Sequence, residues 1–307
     1  MGITPCRTVW LDGKFVDLSE ATVPVTTHAL HYGTAAFEGI RAYWNGDNLY
    51  VFRLADHIRR LRRSGSFYDM VTAYTDDDIA RAITGACARN GLRESTYIRP
   101  IFFVGEWGIS LYVRPAAPTR FAVIVFPLDK LFDNGGISVG VVSCRRFSDA
   151  STPTQAKMSG NYLNSIYATI EAQKSGYEEA IMLDHAGNVS EAPGANIFLV
   201  QDGRLVTPDR ASSALDGITR DTVVRLAERL GVPVEFRRVS PGELHTSEEL
   251  FMTGTAAEVV PITSVGGRTV GSGPGPVTRS IMAAYADVVA GRGDASDGWL
   301  TPVYHDA

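Results

Sequence analysis

The most informative segment of the chain has the sequence Thr152-Pro153-Thr154-Gln155-Ala156-Lys157-Met158-Ser159-Gly160-Asn161-Tyr162. It places one lysine among small and polar residues, immediately before a predicted helix, residues 161–175, that stops at Gly176. An amine that is buried beside a tyrosine can become a Schiff-base nucleophile, because burial favours its uncharged form. A surface lysine also fits this position, so the spacing favours neither interpretation by itself.

The scarcity of lysine narrows the choice of a residue for Schiff-base chemistry. The 307 residues contain 29 basic side chains, of which 25 are Arg and only four are Lys. Arg cannot lose its proton or form a Schiff base as Lys can. The other lysines have structural explanations: Lys14 follows a turn, Lys130 lies in a predicted linker, and Lys174 ends a helix, where a cation favours the dipole. Lys157 is therefore the candidate for lysine chemistry.

The overall composition is that of an ordinary globular protein. Apolar residues make up 45% and charged residues 21%, and the formal net charge is −5, which argues against nucleic acid or an anionic membrane as the main partner. Three cysteines match no C-x-x-C spacing, no signal peptide is visible, and the longest apolar runs have the length of a strand. We therefore expect a soluble, cytoplasmic protein.

Periodicity and turn residues predict a mixture of strands and helices without strict βαβ alternation. In the first half we expect a hairpin at 9–16, strands at 49–52, 96–104 and 121–126, and helices at 55–67 and from 76 to about 90. In the second half we expect strands at 137–143, 180–183, 197–200 and 204–207, helices at 161–175, 218–230 and 277–289, and a loop at 266–276. This pattern predicts α/β (α+β) domains with mixed, largely antiparallel sheets.

We predict two domains from this distribution. Residues 1–127 would form a small N-terminal α/β domain, and residues 137–307 a larger C-terminal domain that carries Lys157. The segment 128–136 contains Asp, Asn and Gly-Gly and is the predicted linker.

The common cofactor and catalytic motifs are absent from the sequence. It contains no G-x-x-x-x-G-K-[ST], no G-x-G-x-x-G between a strand and a helix, and no G-x-S-x-G. His28 and His31 are spaced i,i+3 but lack a nearby cysteine or a third ligand, so no metal site is predicted.

Two segments are possible anion cradles. Gly217-Ile218-Thr219-Arg220-Asp221 opens a predicted helix, where free N–H groups, the dipole and a hydroxyl favour an anion. The segment 251–258 combines small residues that let a backbone approach an anion. Helix capping and a simple turn explain these segments equally well. Glu191 precedes a tight turn, and such an acid is usually solvated unless a cationic ring nitrogen lies opposite.

In this order, these segments resemble fold-type IV pyridoxal-phosphate enzymes, and most closely the branched-chain amino acid aminotransferases. The matching segments are 28–33, 37–41, 97–100, 157–163, 190–191, 196–198, 212–221 and 253–258. The resemblance runs from about residue 9 to about residue 299, nearly the whole chain. It implies two α/β domains joined by a short loop.

The resemblance implies pyridoxal 5'-phosphate as the cofactor. Lys157 would hold it as a Schiff base and, once freed by substrate, would move the proton at the substrate's α-carbon. Glu191 would pair with the ring nitrogen and keep it protonated, and Tyr162 would hydrogen-bond the phenolic oxygen. The remaining cofactor contacts, including those to the phosphate, would come from Arg59, Leu215, Gly217, Ile218, Thr219, Gly254 and Thr255.

The resemblance also implies a substrate pocket. Aromatic side chains would enclose an apolar side chain, and two arginines and two backbone N–H groups would lie on the carboxylate side. These residues are Tyr32, Phe37, Gly39, Arg41, Tyr97, Arg99, Ala256 and Ala257. Plain core packing is the alternative explanation for the aromatics.

The implied reaction is transamination of a branched-chain, or related apolar, L-amino acid with 2-oxoglutarate, giving the 2-keto acid and L-glutamate. A homodimer with active sites near its interface is implied as well. The alternatives are a D-amino acid or amine aminotransferase of the same fold, and a lyase of the aminodeoxychorismate type. Tyr97-x-Arg99-Pro100 and Gly39-x-Arg41 favour the L-selective subfamily.

The chain departs from the family pattern at three places. Pro193 and Ala195 lie in the turn after Glu191, and Leu131 stands where bacterial members often have tyrosine. The loop around Trp107 matches poorly, and it is the segment that we expect a partner subunit to cover. These departures affect the expected side-chain preference more than the reaction type.

Overall fold

The computed structural model describes residues 4–112, 117–132, 135–271, 273–292 and 298–304. The chain divides into two compact units. The first unit comprises Met1–Asp129, Ala156–Gly160 and Val288–Ala307, and the second comprises Lys130–Gln155 and Asn161–Asp287. The boundary between the two units, at residues 129 and 130, falls within the predicted linker 128–136. Residues 133 and 134 of this linker lie outside the described residues. Residues 156–160, which include Lys157, belong to the first unit rather than to the unit formed by most of the C-terminal half.

The elements alternate irregularly along the chain. Up to the change of unit they are β1 Thr8–Leu11, β2 Lys14–Asp17, α1 His28–Tyr32, β3 Ala35–Phe37, β4 Ile40–Trp44, β5 Leu49–Phe52, α2 Leu54–Ser66, α3 Asp76–Arg89, β6 Thr96–Val104 and β7 Thr119–Pro127. Beyond it they are β8 Ile137–Val141, α4 Tyr162–Lys174, β9 Glu179–Ile181, β10 Asn196–Gln201, β11 Arg204–Pro208, α5 Ile218–Arg229, β12 Val234–Arg237, α6 Glu243–Thr246, β13 Glu249–Gly254, β14 Glu258–Val265, β15 Arg268–Thr269, α7 Pro276–Val289 and β16 Leu300–Pro302.

Local signals placed several of these elements correctly. The β1–β2 hairpin turns at Asp12 (φ 47°) and Gly13 (φ 97°), a pair of positive φ values that suits the twist of a two-residue hairpin. Thr75 and Asp78 form a reciprocal capping box at the start of α3. Gly176 follows α4 with φ 81°, the left-handed conformation that glycine adopts without strain. The predicted hairpin and both helices are confirmed.

The sheet of the first unit has the order β16-β5-β4-β6-β7-β1-β2, and β3 also pairs with β6. All of its described strand pairs are antiparallel. The helices α2 and α3 contribute apolar residues to one core with this sheet, including the fully buried Leu61 and Ile83. One face of α2 is thus buried in the core that it shares with α3 and this sheet.

The sheet of the second unit has the order β12-β11-β10-β13-β14-β8-β9, with β15 on β14. The pairs β11–β12, β14–β8 and β8–β9 are parallel, and the other described pairs are antiparallel. The prediction of mixed, largely antiparallel sheets is confirmed.

Two expectations about local structure were incomplete. The segment 266–276 was expected to be a loop, but Gly266 (φ 57°) and Gly267 (φ 78°) make a tight turn that returns the chain as β15. The strands β3, β4, β13 and β14 were not predicted, because their residues are largely buried and lack the alternation of a half-buried strand. Among the described residues, no helix is both long enough and apolar enough to cross a membrane.

Candidate active site

Lys157 differs from the other three lysines in its burial. Lys14, Lys130 and Lys174 are exposed, whereas Lys157 is partly buried. Its main chain is held from two sides: its N–H donates to Ser64 Oγ of α2 at 2.9 Å, and its carbonyl accepts from the Phe37 N–H of β3 at 3.1 Å. These bonds explain why the segment around Lys157 belongs to the first unit.

Three residues predicted to line the substrate pocket lie around the Lys157 side chain. Lys157 Nζ is 5.1 Å from the centroid of the Phe37 ring, and Arg99 Cζ is 4.4 Å from the same centroid. Arg99 also donates to Tyr97 Oη at 3.0 Å. Cations attract aromatic faces at these distances, so the Phe37 ring interacts with both basic groups. The structure therefore brings Phe37, Tyr97 and Arg99 together with Lys157.

Two other predicted residues are neighbours of this group. A Cβ on Gly39 would lie 2.0 Å from Tyr97 Oη, so only glycine leaves room for the phenol. Arg41 is 2% exposed, donates to the carbonyl oxygen of Asp129 at 2.7 Å and lies over the ring of Tyr43.

Tyr32 has different neighbours in the structure. Its ring lies 4.6 Å from the His28 ring and 6.2 Å from the His31 ring. The His28 ring is buried between Thr34 Oγ1 at 2.8 Å and the Ser110 carbonyl oxygen at 2.7 Å. Because the carbonyl can only accept, His28 Nε2 carries a proton and donates to it. Tyr32 and His28 thus connect α1 to the loop that precedes β7.

The structure places Arg59, the predicted phosphate contact of α2, on the solvent side of the helix. The Arg59 side chain is 74% exposed and pairs with Asp56 at 2.6 Å, whereas the Arg60 side chain is 7% exposed. Successive residues of a helix point about 100° apart, so a shift of one position separates solvent from the interior. Arg60 and Lys157 both lie close enough to His57 for their charges to lower the pKa of that histidine.

Glu38 and two α2 side chains form a buried charged cluster that sequence reasoning missed. Glu38 is fully buried; its Oε1 accepts from Arg60 Nε at 2.6 Å, and its Oε2 accepts from Arg60 Nη2 and His57 Nδ1, both at 2.7 Å. Burial raises the pKa of Glu38, but the charge of Arg60 and the hydrogen bonds from Arg60 and His57 outweigh it and hold that pKa well below its ordinary value. An acid inside the apolar run 35–40 was the available signal.

His57 in this cluster is neutral near neutral pH. Burial lowers the pKa of His57, Glu38 opposes this, and the positive charges of Arg60 and Lys157 lower the pKa further. Its Nδ1 carries the proton, because the Glu38 carboxylate beside it can only accept. The imidazole therefore adds a hydrogen bond and no charge to the cluster.

Glu191 is buried in the second unit and is not a solvated turn residue. It is 5% exposed, and its Oε2 accepts from the Leu215 N–H at 3.0 Å and from Asn196 Nδ2 at 3.2 Å. Arg146 Nε lies 2.7 Å from Glu191 Oε1, yet it has no aligned hydrogen-bond partner among the described residues. Arg146 and Asn196 were both missed as site residues.

Asn196 connects three of the predicted cofactor segments. It contacts Glu191, donates to the Leu215 carbonyl at 2.9 Å, and pairs with Thr253 across the sheet. A Cβ on Gly217 would lie 2.0 Å from Asn196 Oδ1, so glycine is required there. The spacing of Asn196 from Glu191 was visible in the sequence, but its contacts required the fold.

The two predicted anion cradles lie in the same unit. Helix α5 begins at Ile218 with Gly217 as its N-cap, which supplies no capping side chain, and Thr219 is 5% exposed. A Cβ on Gly254 would lie 3.0 Å from the Gly194 carbonyl oxygen. Residues 255–257, which are Thr255, Ala256 and Ala257, form the turn between β13 and β14, and the other predicted cofactor residue of this unit, Tyr162, begins α4.

Comparison with known proteins identifies the family. The family model for amino-transferase class IV matches residues 35–265, which is most of the chain. The chain belongs to the class IV aminotransferases. The predictions of the family and of the fold class are therefore confirmed.

Individual class IV aminotransferases match over nearly their full length. A branched-chain-amino-acid aminotransferase of Salmonella typhimurium is 41% identical over 300 residues, covering 96% of this chain and 97% of that protein. The crystal structure of a branched-chain aminotransferase from the thermophilic archaeon Thermoproteus uzoniensis with norvaline has a TM-score of 0.94 and 43% identity, covering 97% and 100% of the two chains. A branched-chain amino acid aminotransferase crystallised in complex with N-(5'-phosphopyridoxyl)-L-glutamate, its source abbreviated T.th., has a TM-score of 0.94 and 37% identity, covering 97% and 99%.

Proposed function

We propose that this class IV aminotransferase uses pyridoxal 5'-phosphate to transfer the amino group of a branched-chain, or related apolar, L-amino acid to 2-oxoglutarate, yielding L-glutamate. The environment of Lys157 carries the proposal. It is the one lysine of four that is not exposed, and both sides of its main chain are hydrogen-bonded. The names of the relatives support the donor class, and the relative crystallised with N-(5'-phosphopyridoxyl)-L-glutamate supports glutamate as a product.

The residues present suit the cofactor. Glu191 is a buried carboxylate whose Oε1 is not hydrogen-bonded by the Arg146 Nε–H, which leaves it able to accept from a protonated ring nitrogen. Gly217, the N-cap of α5, supplies no capping side chain, and the start of that helix, at Ile218 and Thr219, has the positive dipole end and the backbone donors that suit a phosphate. Bound there, pyridoxal phosphate supplies a conjugated ring that accepts electrons from the α-carbon of an amino acid.

Each remaining residue has a proposed role in holding the cofactor or moving a proton. Lys157 Nζ attaches the cofactor and takes and returns the proton at the substrate's α-carbon. Tyr162 hydrogen-bonds the phenolic oxygen. Arg60, in place of the exposed Arg59, is the arginine of α2 that contributes positive charge beside the phosphate. Leu215, Gly254 and Thr255 remain predicted contacts.

Arg99 is the proposed partner of a substrate carboxylate. Its Nε is buried and has no hydrogen-bond partner among the described residues, and a buried donor of a charged group needs an acceptor. Phe37 and Tyr97 beside it offer aromatic surface to an apolar side chain. Arg41 and the N–H groups of Ala256 and Ala257 remain predicted contacts on the carboxylate side, and Tyr32 remains a predicted wall of the pocket.

The test supplies purified holoenzyme with single amino acids and follows the absorbance band of the bound cofactor. L-leucine, L-isoleucine and L-valine are expected to remove the band, and 2-oxoglutarate to restore it with formation of L-glutamate. Lys157→Ala is expected to lack the band and to lose activity by about 100-fold or more, and Lys174→Ala, an exposed lysine, is the matched control.

Other outcomes would select the alternatives. Conversion by D-amino acids or amines, without conversion by any branched L-amino acid, would replace the proposed substrate class. Pyruvate released without a keto acceptor would indicate a lyase. A Lys157→Ala variant that keeps the band would overturn the assignment of the lysine.

We also propose that the protein is a homodimer and that it acts in the cytoplasm. Helix α4 exposes an apolar stripe at i, i+3, i+4 and i+7: Leu163 is 71%, Ile166 57%, Tyr167 66% and Ile170 43% exposed. Exposed apolar patches of this kind are typical of protein interfaces. Sedimentation equilibrium is expected to give twice the chain mass, and a monomer at micromolar concentration would contradict the proposal.

A further inference from the structure

One face of α2 carries three buried polar side chains where a core helix normally has apolar ones. His57, Arg60 and Ser64 are spaced i, i+3 and i+7, so they lie on one side of the helix. They are 2%, 6% and 0% exposed. Burying a polar group costs free energy unless it is hydrogen-bonded, so the hydrogen-bond partners of these three side chains indicate the role of this face.

The hydrogen-bond partners of these three residues include Lys157 itself and Glu38, which follows Phe37 in the chain. Ser64 Oγ accepts the N–H of Lys157 itself. His57 and Arg60 hold Glu38, whose neighbour Phe37 binds the Lys157 carbonyl through its own N–H and lies beneath Nζ. The face therefore fixes the lysine both directly and through β3.

Ser64 is hard to explain by helix formation alone. Serine is a poorer helix former than alanine, and the hydroxyl of the fully buried Ser64 adds a polar group to the core. Alanine would suit both the helix and the packing. Within the part of the chain that the structure describes, the hydroxyl serves as the acceptor for the Lys157 N–H.

We propose that the buried polar face of α2, formed by His57, Arg60 and Ser64, positions Lys157 for proton transfer. Ser64 sets the main chain at the lysine, and the Glu38 cluster sets the strand that carries Phe37. Small displacements of a reacting group slow a reaction strongly, so a fixed backbone at the lysine matters to turnover. The inference rests on the proposed role of Lys157. The lowered pKa of His57, to which Arg60 and Lys157 both contribute, is consistent with these groups being neighbours.

The experiment compares the holoenzymes of Ser64→Ala, Ser64→Cys and Ser66→Ala with the wild type. Ser66 is exposed at the end of the same helix and serves as the control. In Ser64→Ala the buried N–H of Lys157 loses its acceptor, and we expect kcat to fall by about fivefold to tenfold. The KM for L-leucine should stay within about twofold, because the substitution affects the transition state more than substrate binding. The pH midpoint of the cofactor absorbance band in Ser64→Ala is expected to move by about 0.5 unit from that of the wild type. The thermal unfolding midpoint of each variant is measured as well.

Ser64→Cys separates hydrogen bonding from packing. Sulfur fills the site but is a weak acceptor, so a positioning role predicts that cysteine behaves like alanine in kcat and in the band titration. Full recovery in Ser64→Cys would show that volume alone matters and would overturn the inference. A Ser64→Ala enzyme with wild-type kcat and titration would overturn it as well. If Ser64→Ala does not fold, Ser64→Cys carries the test by the same criteria.

The behaviour of Lys157→Ala distinguishes this inference from the proposed function. Loss of the cofactor band in Lys157→Ala, combined with wild-type behaviour in Ser64→Ala, would refute the positioning role alone. A persisting band in Lys157→Ala would refute the role of the lysine, and the positioning role with it.

Discussion

The two units each contain a buried glutamate beside an arginine, and the two carboxylates are satisfied differently. Glu38 accepts the paired N–H groups of the Arg60 fork and a third bond from His57. Glu191 accepts two neutral N–H groups on Oε2, and its Oε1 faces Arg146 Nε at 2.7 Å without an aligned hydrogen bond. Burial and residue type are alike, so the geometry of the donors makes the difference.

The two carboxylates therefore differ in their remaining capacity to bind a ligand. A bidentate arginine pair neutralises Glu38 within the protein and leaves it little capacity for a ligand. Glu191 keeps an oxygen that can accept from another charged N–H, which is what a cofactor's ring nitrogen requires. Substitution of each glutamate should therefore affect a different measurable quantity.

The largest effect is expected from Glu38→Gln. Removing the charge leaves the Arg60 guanidinium buried without its counter-ion, and we expect the free energy of unfolding to fall by about 3–5 kcal/mol. Urea denaturation measures this, with Glu20→Gln, at an exposed position, as the control. A loss below about 1 kcal/mol would remove the distinction between the two glutamates.

Glu191→Gln should act on catalysis more than on folding. A neutral amide cannot keep a ring nitrogen protonated, and we expect kcat to fall by about 100-fold, or roughly 2.7 kcal/mol in the barrier. The free energy of unfolding should fall by less than in Glu38→Gln, because the Oε2 donors are neutral. Steady-state kinetics with L-leucine provide the measurement, and an unchanged kcat would exclude Glu191 from the proposed role.

The Glu38 cluster should also make stability depend on pH through His57. The folded pKa of His57 lies below its unfolded value of 6.5, chiefly because of burial, so below pH 6.5 the unfolded chain binds a proton that the folded chain does not. Stability should therefore fall on acidification, by about 1 kcal/mol between pH 7 and 5.5. Glu38 stays ionised across this window, because its folded pKa is lowered.

The check on His57 is urea denaturation at both pH values. The loss assigned to His57 should disappear in His57→Gln and persist in His245→Gln, which alters an exposed histidine. An equal loss in all three proteins would assign the pH dependence to other groups.

The smallest effect is expected from Arg59→Ala. The Arg59 side chain is 74% exposed and forms a surface ion pair with Asp56. The free energy of unfolding should therefore change by no more than about 0.5 kcal/mol. Cofactor affinity, measured by titration of the apoenzyme, should stay within about twofold of wild type. Arg60→Ala is the contrasting variant and should weaken both quantities strongly. Equal effects of the two substitutions would restore Arg59 as a candidate.

Much of the local structure and the central residue could be predicted because their signals lie close together in the chain. The capping box at Thr75 and the Asp12-Gly13 turn involve neighbours within three residues. Lys157 was identified by the scarcity of lysine and by its small, polar neighbours, and the structure places it apart from the exposed lysines. Such signals need no knowledge of distant contacts.

The features that the sequence did not predict have a different physical origin. The choice between Arg59 and Arg60 depends on which side of α2 faces the core, and an arginine-rich helix does not reveal this side by composition. Asn196 and Ser64 contact partners 19 and 93 positions away, Leu215 and Lys157. Contacts of that separation form only after the sheets and helices have packed.

The sequence by itself determined many of the elements, several of their caps and the choice of Lys157 as the candidate for lysine chemistry, because these depend on residue chemistry and on interactions within a turn or two. Only the tertiary structure decided which charges are internal and which can meet a ligand. Glu38 lies in an apolar run and Glu191 precedes a turn, but neither sequence context shows which donors will surround the carboxylate. The arrangement of donors around each carboxylate distinguishes them, and packing between remote segments creates that arrangement.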